Sequence, residues 1–315
     1  SIPAFAPWTL QAWFRGRGGS KHRNGPRVVL WPDTFNNHFH PQVGVAAVEA
    51  LEAAGYHVIV PDQHVCCGRP LYDYGFLGVA ERYLRRTLAA LAPEIRRGTP
   101  LVGLEPSCVA VFRDELQKLL PHDEDARRLA ANTYHFADFL EKEAVDVPEL
   151  EAEAVVWGHC HHKATGELAA ELKVFERMGL QVREAAGGCC GLAGSFGFEQ
   201  GKHQISMQCA EVGFLPAIRG ADPRALIVAD GFSCRTQLEQ SGLHRGALHT
   251  AEVLKLARES ALFGVYGGRP ERLAAKPPEP PRGVAVARRV AAAVGAGAAL
   301  GVLVLSAAKA LRSSG

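Results

Sequence analysis

The sequence predicts an α/β fold of two pseudo-symmetric repeated units, each with a mainly parallel sheet and its ligand-bearing loops at the carboxyl ends of the strands. Three observations carry this. Cys66-Cys67-Gly68 and Cys189-Cys190-Gly191 repeat one adjacent-cysteine motif 123 residues apart. Trp31 and Trp157 are 126 residues apart, as are Cys108 and Cys234, and the block beginning at His135 recurs 114 residues on at His249. Landmarks kept in order with near-constant offsets mark an internal duplication. Within each half, short apolar runs bounded by turn residues alternate with helical periodicity, the pattern of βαβ units.

Residues 1–26 gather Arg15, Arg17, Lys21 and Arg23 beside glycines, without one acidic residue; they read as a basic, solvated linker rather than a phosphate-binding arm. Residues 27–150 form the first unit, with strands at 28–30, 58–60 and 101–104 and helices at 43–54 and 80–92. Residues 151–262 form the second, with strands at 154–157, 181–183 and 225–229 and helices at 164–178 and 201–213. Pro277-Pro278-Glu279-Pro280-Pro281 stiffens a linker over 263–285. In the last segment, 286–315, an uncharged run at 290–308 reads as an apolar C-terminal helix. Such a run spans ~28 Å as a helix, about one hydrocarbon thickness. The tail is therefore either a membrane anchor or a packed or partly disordered helix. Gly295-Ala296-Gly297 follows no strand of a βαβ unit and is not a dinucleotide fingerprint.

At 315 residues the chain can hold two good cores. A formal net charge of +2 gives no reason to expect nucleic acid or a strongly acidic partner. The cysteines cluster at predicted strand ends, unlike a small secreted disulfide scaffold, which favours a reducing compartment. The expected location is cytoplasmic, either peripheral or tail-anchored at the cytoplasmic membrane. No Gly-x-Ser-x-Gly elbow, P-loop or HExxH occurs, so hydrolase and NTPase chemistry has no support.

In parallel sheets ligands collect at the carboxyl ends of the strands, and the cysteines fall there in both units. The second unit offers four thiolates, Cys160, Cys189, Cys190 and Cys234. Soft sulfur selects an iron–sulfur cluster or zinc. Zinc favours C-x2-C pairs, whereas an adjacent pair in a glycine-rich loop sets two sulfurs apart and suits two irons. A 4Fe-4S cluster is the preferred reading, with zinc and plain buried thiols as alternatives. The first unit has Thr34 where the second has Cys160, leaving Cys66, Cys67 and Cys108. Asp33 or Glu105 are candidate oxygen donors there, and a second cluster, zinc or a decayed site all stay open. His159, His161 and His162 flank Cys160 either as N–H donors to a sulfur or as ordinary helix-start side chains. His135 and His249 are expected to cap helices, Arg69 to form a structural ion pair, and Cys209 to be a small core residue.

Longer strings add a resemblance. Trp31-Pro32-Asp33-Thr34-Phe35-Asn36-Asn37, Cys66-Cys67-Gly68-Arg69-Pro70-Leu71-Tyr72-Asp73-Tyr74-Gly75, Gly103-Leu104-Glu105-Pro106-Ser107-Cys108 and Cys189-Cys190-Gly191-Leu192-Ala193-Gly194-Ser195-Phe196-Gly197 resemble the cysteine-rich (CCG) domain. The likeness is strongest to the C-terminal iron–sulfur module of large FAD-linked D-2-hydroxy-acid dehydrogenases, acting on D-lactate, glycolate or D-2-hydroxyglutarate. Heterodisulfide reductase, lactate-utilisation proteins and the iron–sulfur subunits of glycolate oxidase and anaerobic glycerol-3-phosphate dehydrogenase share the domain. The resemblance covers residues 3–258. It implies an electron-transfer module that takes electrons from FAD on a partner flavoprotein domain or subunit with ferredoxin-like clusters and hands them to an acceptor such as a quinone. Alone, the chain is not expected to oxidise the hydroxy acid. Heterodisulfide-reductase-like thiol–disulfide catalysis at an open-site cluster and a zinc-stabilised docking module are the alternatives. In the fullest members each half carries an early cysteine, the pair and a late C-x-x-C. Thr34, Glu105 and Gly231 depart from that pattern.

Overall fold

The computed structural model describes residues 2–165, 168–263 and 270–271. Its strands are β1 (Arg27–Leu30), β2 (His57–Ile59), β3 (Leu101–Gly103), β4 (Thr133–His135), β5 (Glu153–Val156), β6 (Gln181–Glu184) and β7 (Leu226–Val228). They form two sheets, ordered β2-β1-β3-β4 and β6-β5-β7, and every pairing is parallel. A parallel bridge from Val228 to Leu248 extends the second sheet where β4 extends the first. The predicted duplication is thus visible as one topology built twice.

The central strands are apolar because both their faces are covered. In β1, Val28 and Leu30 enter one core while Val29 enters another; in β5, Ala154 and Val156 part from Val155 in the same way. The core that takes Val28, Leu30 and Val102 also takes Ala154, Val156, Leu226 and Val228, so it belongs to both units. Helices Pro41–Ala53 and Thr250–Phe263 pack together across this shared layer. The opposite face of each sheet has a core of its own. Cys67 and Cys108 lie in the first and Cys190 and Cys234 in the second.

Residues 1–26 differ from the solvated linker their charge suggests. They contain the helix Leu10–Gly16, with Trp8, Leu10 and Phe14 buried in the shared core. Gly44 leaves the slot for Leu10: a Cβ there would stand 2.4 Å from Leu10 Cδ2. Arg17 pairs with Glu52 at 2.7 Å and lies over the Trp13 ring. Apolar anchoring outweighs the basic composition. Where a helix is expected at 164–178, the described residues are helical over Cys160–Thr165 and Leu168–Arg177. The tail expected over 286–315 and most of the linker before it lie outside the described residues. Among the described residues no helix is long and apolar enough to cross a membrane.

Candidate metal centre

Both adjacent-cysteine loops are built the same way. Gly68 and Gly191 adopt left-handed backbone, φ +79° and +93°, which glycine enters without a side-chain penalty. The turn brings the glycine N–H back onto the first sulfur: Gly68 N donates to Cys66 Sγ at 3.4 Å and Gly191 N to Cys189 Sγ at 3.3 Å. The first cysteine of each pair faces outward, Cys66 half-buried and Cys189 exposed, while Cys67 and Cys190 are buried. The late cysteines, Cys108 and Cys234, are buried in the helices Pro106–Ala110 and Phe232–Gln240 that follow β3 and β7. Cys160 opens the helix after β5 and is exposed.

The second-unit thiols make a chain of contacts from Cys160 through Cys189 and Cys190 to Cys234. Contacts with Cys160 and Cys190 push the Cys189 thiol down against the opposing effect of burial. The same contacts push Cys160 and Cys190 up, and Cys190 also reaches Cys234. A thiolate held by donors is the form that binds metal. His159 Nδ1 and His161 Nδ1 lie 3.9 and 4.0 Å from Cys160 Sγ, and the donor atoms of His159, Cys160 and His161 fall within 4.8 Å of one another. Burial lowers both imidazoles to about 4, so they are neutral near pH 7.

The first site is poorer. Cys67 and Cys108 have their sulfurs 3.0 Å apart. Thr34 occupies the place of Cys160, its hydroxyl donating to Cys66 Sγ at 4.0 Å. Both carboxylates considered as oxygen ligands are engaged in hydrogen bonds. Asp33 Oδ1 accepts the N–H groups of Phe35 at 3.0 Å and Asn36 at 2.8 Å, and Oδ2 accepts from Asn36 Nδ2 at 3.0 Å. Glu105 Oε1 accepts from the Ser107 hydroxyl and N–H at 2.9 and 3.3 Å, while Oε2 crosses to the second unit and accepts Phe232 N–H at 2.8 Å. One carboxylate therefore caps both helices that carry the late cysteines. Burial raises Asp33 to about 7 and pushes Glu105 up as well.

The units meet beside these loops. Phe35 and Phe232 stack with centroids 4.3 Å apart, Arg235 donates to Asn36 Oδ1 at 3.0 Å, and the Tyr74 hydroxyl reaches Ser195 and Glu199 at 2.6 and 2.7 Å. His249 caps as expected, its Nδ1 accepting Ala251 N–H at 3.0 Å, and it faces the Leu104 carbonyl at 2.9 Å through Nε2. His135 makes no cap bond; its ring packs 3.9 Å from that of His162. Arg69 pairs with Asp73 and Glu115. Cys209 is exposed rather than in the core.

A thiolate-held group fits the second site. The second-unit thiols touch in sequence, Cys160 to Cys189, Cys189 to Cys190 and Cys190 to Cys234, and Trp157 Nε1, in the same apolar cluster as Cys190 and Cys234, is buried without an acceptor. Its repeat partner Trp31 Nε1 is equally unpaired in the cluster of Cys67 and Cys108. An orphaned buried donor costs about 1–3 kcal/mol, and the same orphan in both units marks a missing acceptor rather than an accident of packing. The sequence showed these tryptophans as repeat landmarks but carried no sign of their unmet N–H groups.

Known proteins share this sequence pattern. The profile of the cysteine-rich domain (CCG) matches residues 33–113 and again 155–239. One component of the anaerobic glycerol-3-phosphate dehydrogenase of Escherichia coli (strain K12) is 25% identical over 247 residues, covering 76% of this chain and 62% of that protein. D-2-hydroxyglutarate dehydrogenase of Pseudomonas putida is 28% identical over 230 residues, 72% of this chain but 22% of the dehydrogenase. The chain thus spans less than two thirds of the length of either of these relatives. Lactate utilization protein A of Halalkalibacterium halodurans is 30% identical over 245 residues, 72% of this chain and 96% of that protein. With both halves matched by one domain profile and each half carrying the same cysteine loop, the chain belongs to the CCG cysteine-rich domain family.

Proposed function

We propose that this chain is an iron–sulfur electron-transfer module of an FAD-dependent 2-hydroxy-acid dehydrogenase, with Cys160, Cys189, Cys190 and Cys234 holding a 4Fe-4S cluster. The observation that carries the reading is the CCG loop built twice, its glycine N–H turned back onto the first sulfur in each copy, with Cys160, Cys189, Cys190 and Cys234 in successive contact in the second copy. Such a cluster supplies one-electron chemistry at a potential set by its surroundings. The chain's own residues hold and shield it: Gly191 N–H stabilises the Cys189 sulfur, and buried Cys190 and Cys234 bring apolar surface to one side. The exposed Cys160 and Cys189 leave the other side open toward a partner. The likeness to D-2-hydroxyglutarate dehydrogenase and lactate utilization protein A supports a flavoprotein domain or subunit as that partner, with a quinone among the candidate acceptors. Cys66, Cys67 and Cys108 form a weaker site for a second cluster or zinc.

Anaerobic reconstitution followed by iron, sulfide and zinc analysis tests this, with electron paramagnetic resonance after dithionite reduction. About four irons and four sulfides per chain are expected if the second site alone is filled, lost on Cys189→Ser and kept on Cys209→Ser. The nitrogen and sulfur donors of His159, Cys160 and His161 also suit zinc. Stoichiometric zinc without a cluster signal would assign a docking module instead, and disulfide reductase turnover with an artificial donor would assign the thiol–disulfide alternative.

A further inference from the structure

His159 differs in kind from its repeat counterpart, Asp33, and its placement is fixed from three sides. Its Nδ1 accepts the backbone N–H of His161 at 3.2 Å. A ring nitrogen that accepts carries no proton, so the neutral ring keeps its proton on Nε2. The ring lies against Gly231: a Cβ built there would stand 2.2 Å from His159 Cδ2 and 3.0 Å from Nε2. Any side chain at 231 would displace the imidazole, so the glycine is what lets Nε2 sit at the foot of the helix that carries Cys234. The opposite edge faces Cys160 Sγ, 3.9 Å from Nδ1. The residue is 7% exposed, so the ring is held among protein groups with its Nε2–H available to a neighbouring acceptor.

We propose that His159 is a positioning residue that donates its Nε2–H to a sulfur of the group held by Cys160, Cys189, Cys190 and Cys234, and thereby raises that group's reduction potential. This rests on the iron–sulfur reading above. A donor aimed at sulfur stabilises the added negative charge of the reduced state more than the oxidised state. Asp33 is engaged otherwise in the first unit, its two oxygens accepting from Phe35 and Asn36. The two sites therefore differ in tuning as well as in sulfur count.

Potentiometric titration of the reconstituted full chain, read by electron paramagnetic resonance, tests the proposal. His159→Ala is expected to displace the reduction equilibrium at least tenfold toward the oxidised state, ~59 mV for a one-electron couple. His159→Gln, whose amide N–H reaches the place of Nε2, restores most of the loss. Gly231→Ala keeps the histidine but pushes the ring away, and shifts the potential in the same direction. Wild-type potential in His159→Ala and Gly231→Ala at full iron content overturns the proposal. Should both variants fail to hold iron, pulsed resonance of otherwise wild-type protein carrying 15N-histidine decides. A weak nitrogen coupling that survives His161→Ala supports it, and absence of that coupling overturns it. Failure of the wild-type chain to assemble any iron–sulfur group sinks the underlying reading and this proposal with it. A cluster of ordinary yield whose potential ignores His159 sinks this proposal alone.

Discussion

Thr34 stands where the second unit has Cys160, and the structure sets its hydroxyl 4.0 Å from Cys66 Sγ. Thr34→Cys should therefore give the first site a fourth sulfur and raise its metal retention after reconstitution to that of the second site; unchanged metal per chain would show that more than one ligand is missing. Asp33, its neighbour, is held at about 7 by burial first and by the Glu105 charge second. The unfolded carboxyl titrates near 3.9, so the folded state binds the extra proton between roughly pH 4 and 7 and stability falls as pH rises through that window. Asp33→Asn keeps an oxygen for the cap and removes this fall. Its stability relative to wild type should grow by a few kcal/mol, order of magnitude, from pH 4 to pH 8. Urea titrations of the metal-free proteins at both pH values check this, and a constant difference would refute it. The cysteines were legible in the sequence because the repeat aligned them. Asp33 and Glu105 stood in the sequence as candidate oxygen donors; it gave no sign of the hydrogen bonds they accept in the fold, in the case of Glu105 from an N–H that lies 127 residues away.

At the scale of the element, the CCG loop requires its glycine twice over in one copy and once in the other. Gly68 and Gly191 share a left-handed φ, which costs an L-residue about 1–2 kcal/mol. They differ in space: a Cβ on Gly68 meets Ala80 Cα at an ordinary 3.6 Å, whereas one on Gly191 would fall 2.0 Å from the Ser206 carbonyl oxygen. Gly68→Ala should cost about 1–2 kcal/mol with the fold intact. Gly191→Ala must push the helix His203–Glu211 away from the loop, so it should cost more and release metal from the second site. Chemical denaturation together with chelator challenge separates the two; equal costs would count against the close approach. The central strands β1, β3, β5 and β7 were readable because burial on both faces demands continuous apolar runs. β4 was not, since Thr133-Tyr134-His135 is three residues of mixed polarity whose pairing to β3 is a tertiary fact. The docked helix Leu10–Gly16 escaped for a related reason. Its arginines dominate the composition, while the slot that receives Leu10 is made by the absence of a side chain at Gly44.

At the scale of the molecule, the duplication makes one body rather than two independent modules. Strands of both sheets share one apolar core, and buried polar bonds cross between the units, from Phe232 to Glu105, from Arg235 to Asn36 and between His249 and the Leu104 carbonyl. Unfolding should accordingly be a single cooperative transition despite two domain matches, because neither unit can keep its half of that core dry alone. The sequence announced two copies of one fold; that they are welded follows only from contacts more than a hundred residues apart. Glu105 is the sharpest test of the weld. It stands where the second unit has Gly231, 126 residues on, and its two oxygens cap the helix of Cys108 and the helix of Cys234. Glu105→Ala leaves Phe232 N–H buried and unpaired and removes a negative charge from two helix N-termini, a loss of about 1–3 kcal/mol for the orphaned donor alone. The consequence should appear in the other unit. Cys234 loses the anchor of its helix, so the second site should yield its metal to a chelator several-fold faster although none of its own residues has changed. Glu105→Gln, which keeps an acceptor for Phe232, should recover much of that retention while still lacking the charge. If Glu105→Ala weakened only the first site, or left metal release at the second untouched, the units would be coupled through apolar packing and not through this carboxylate.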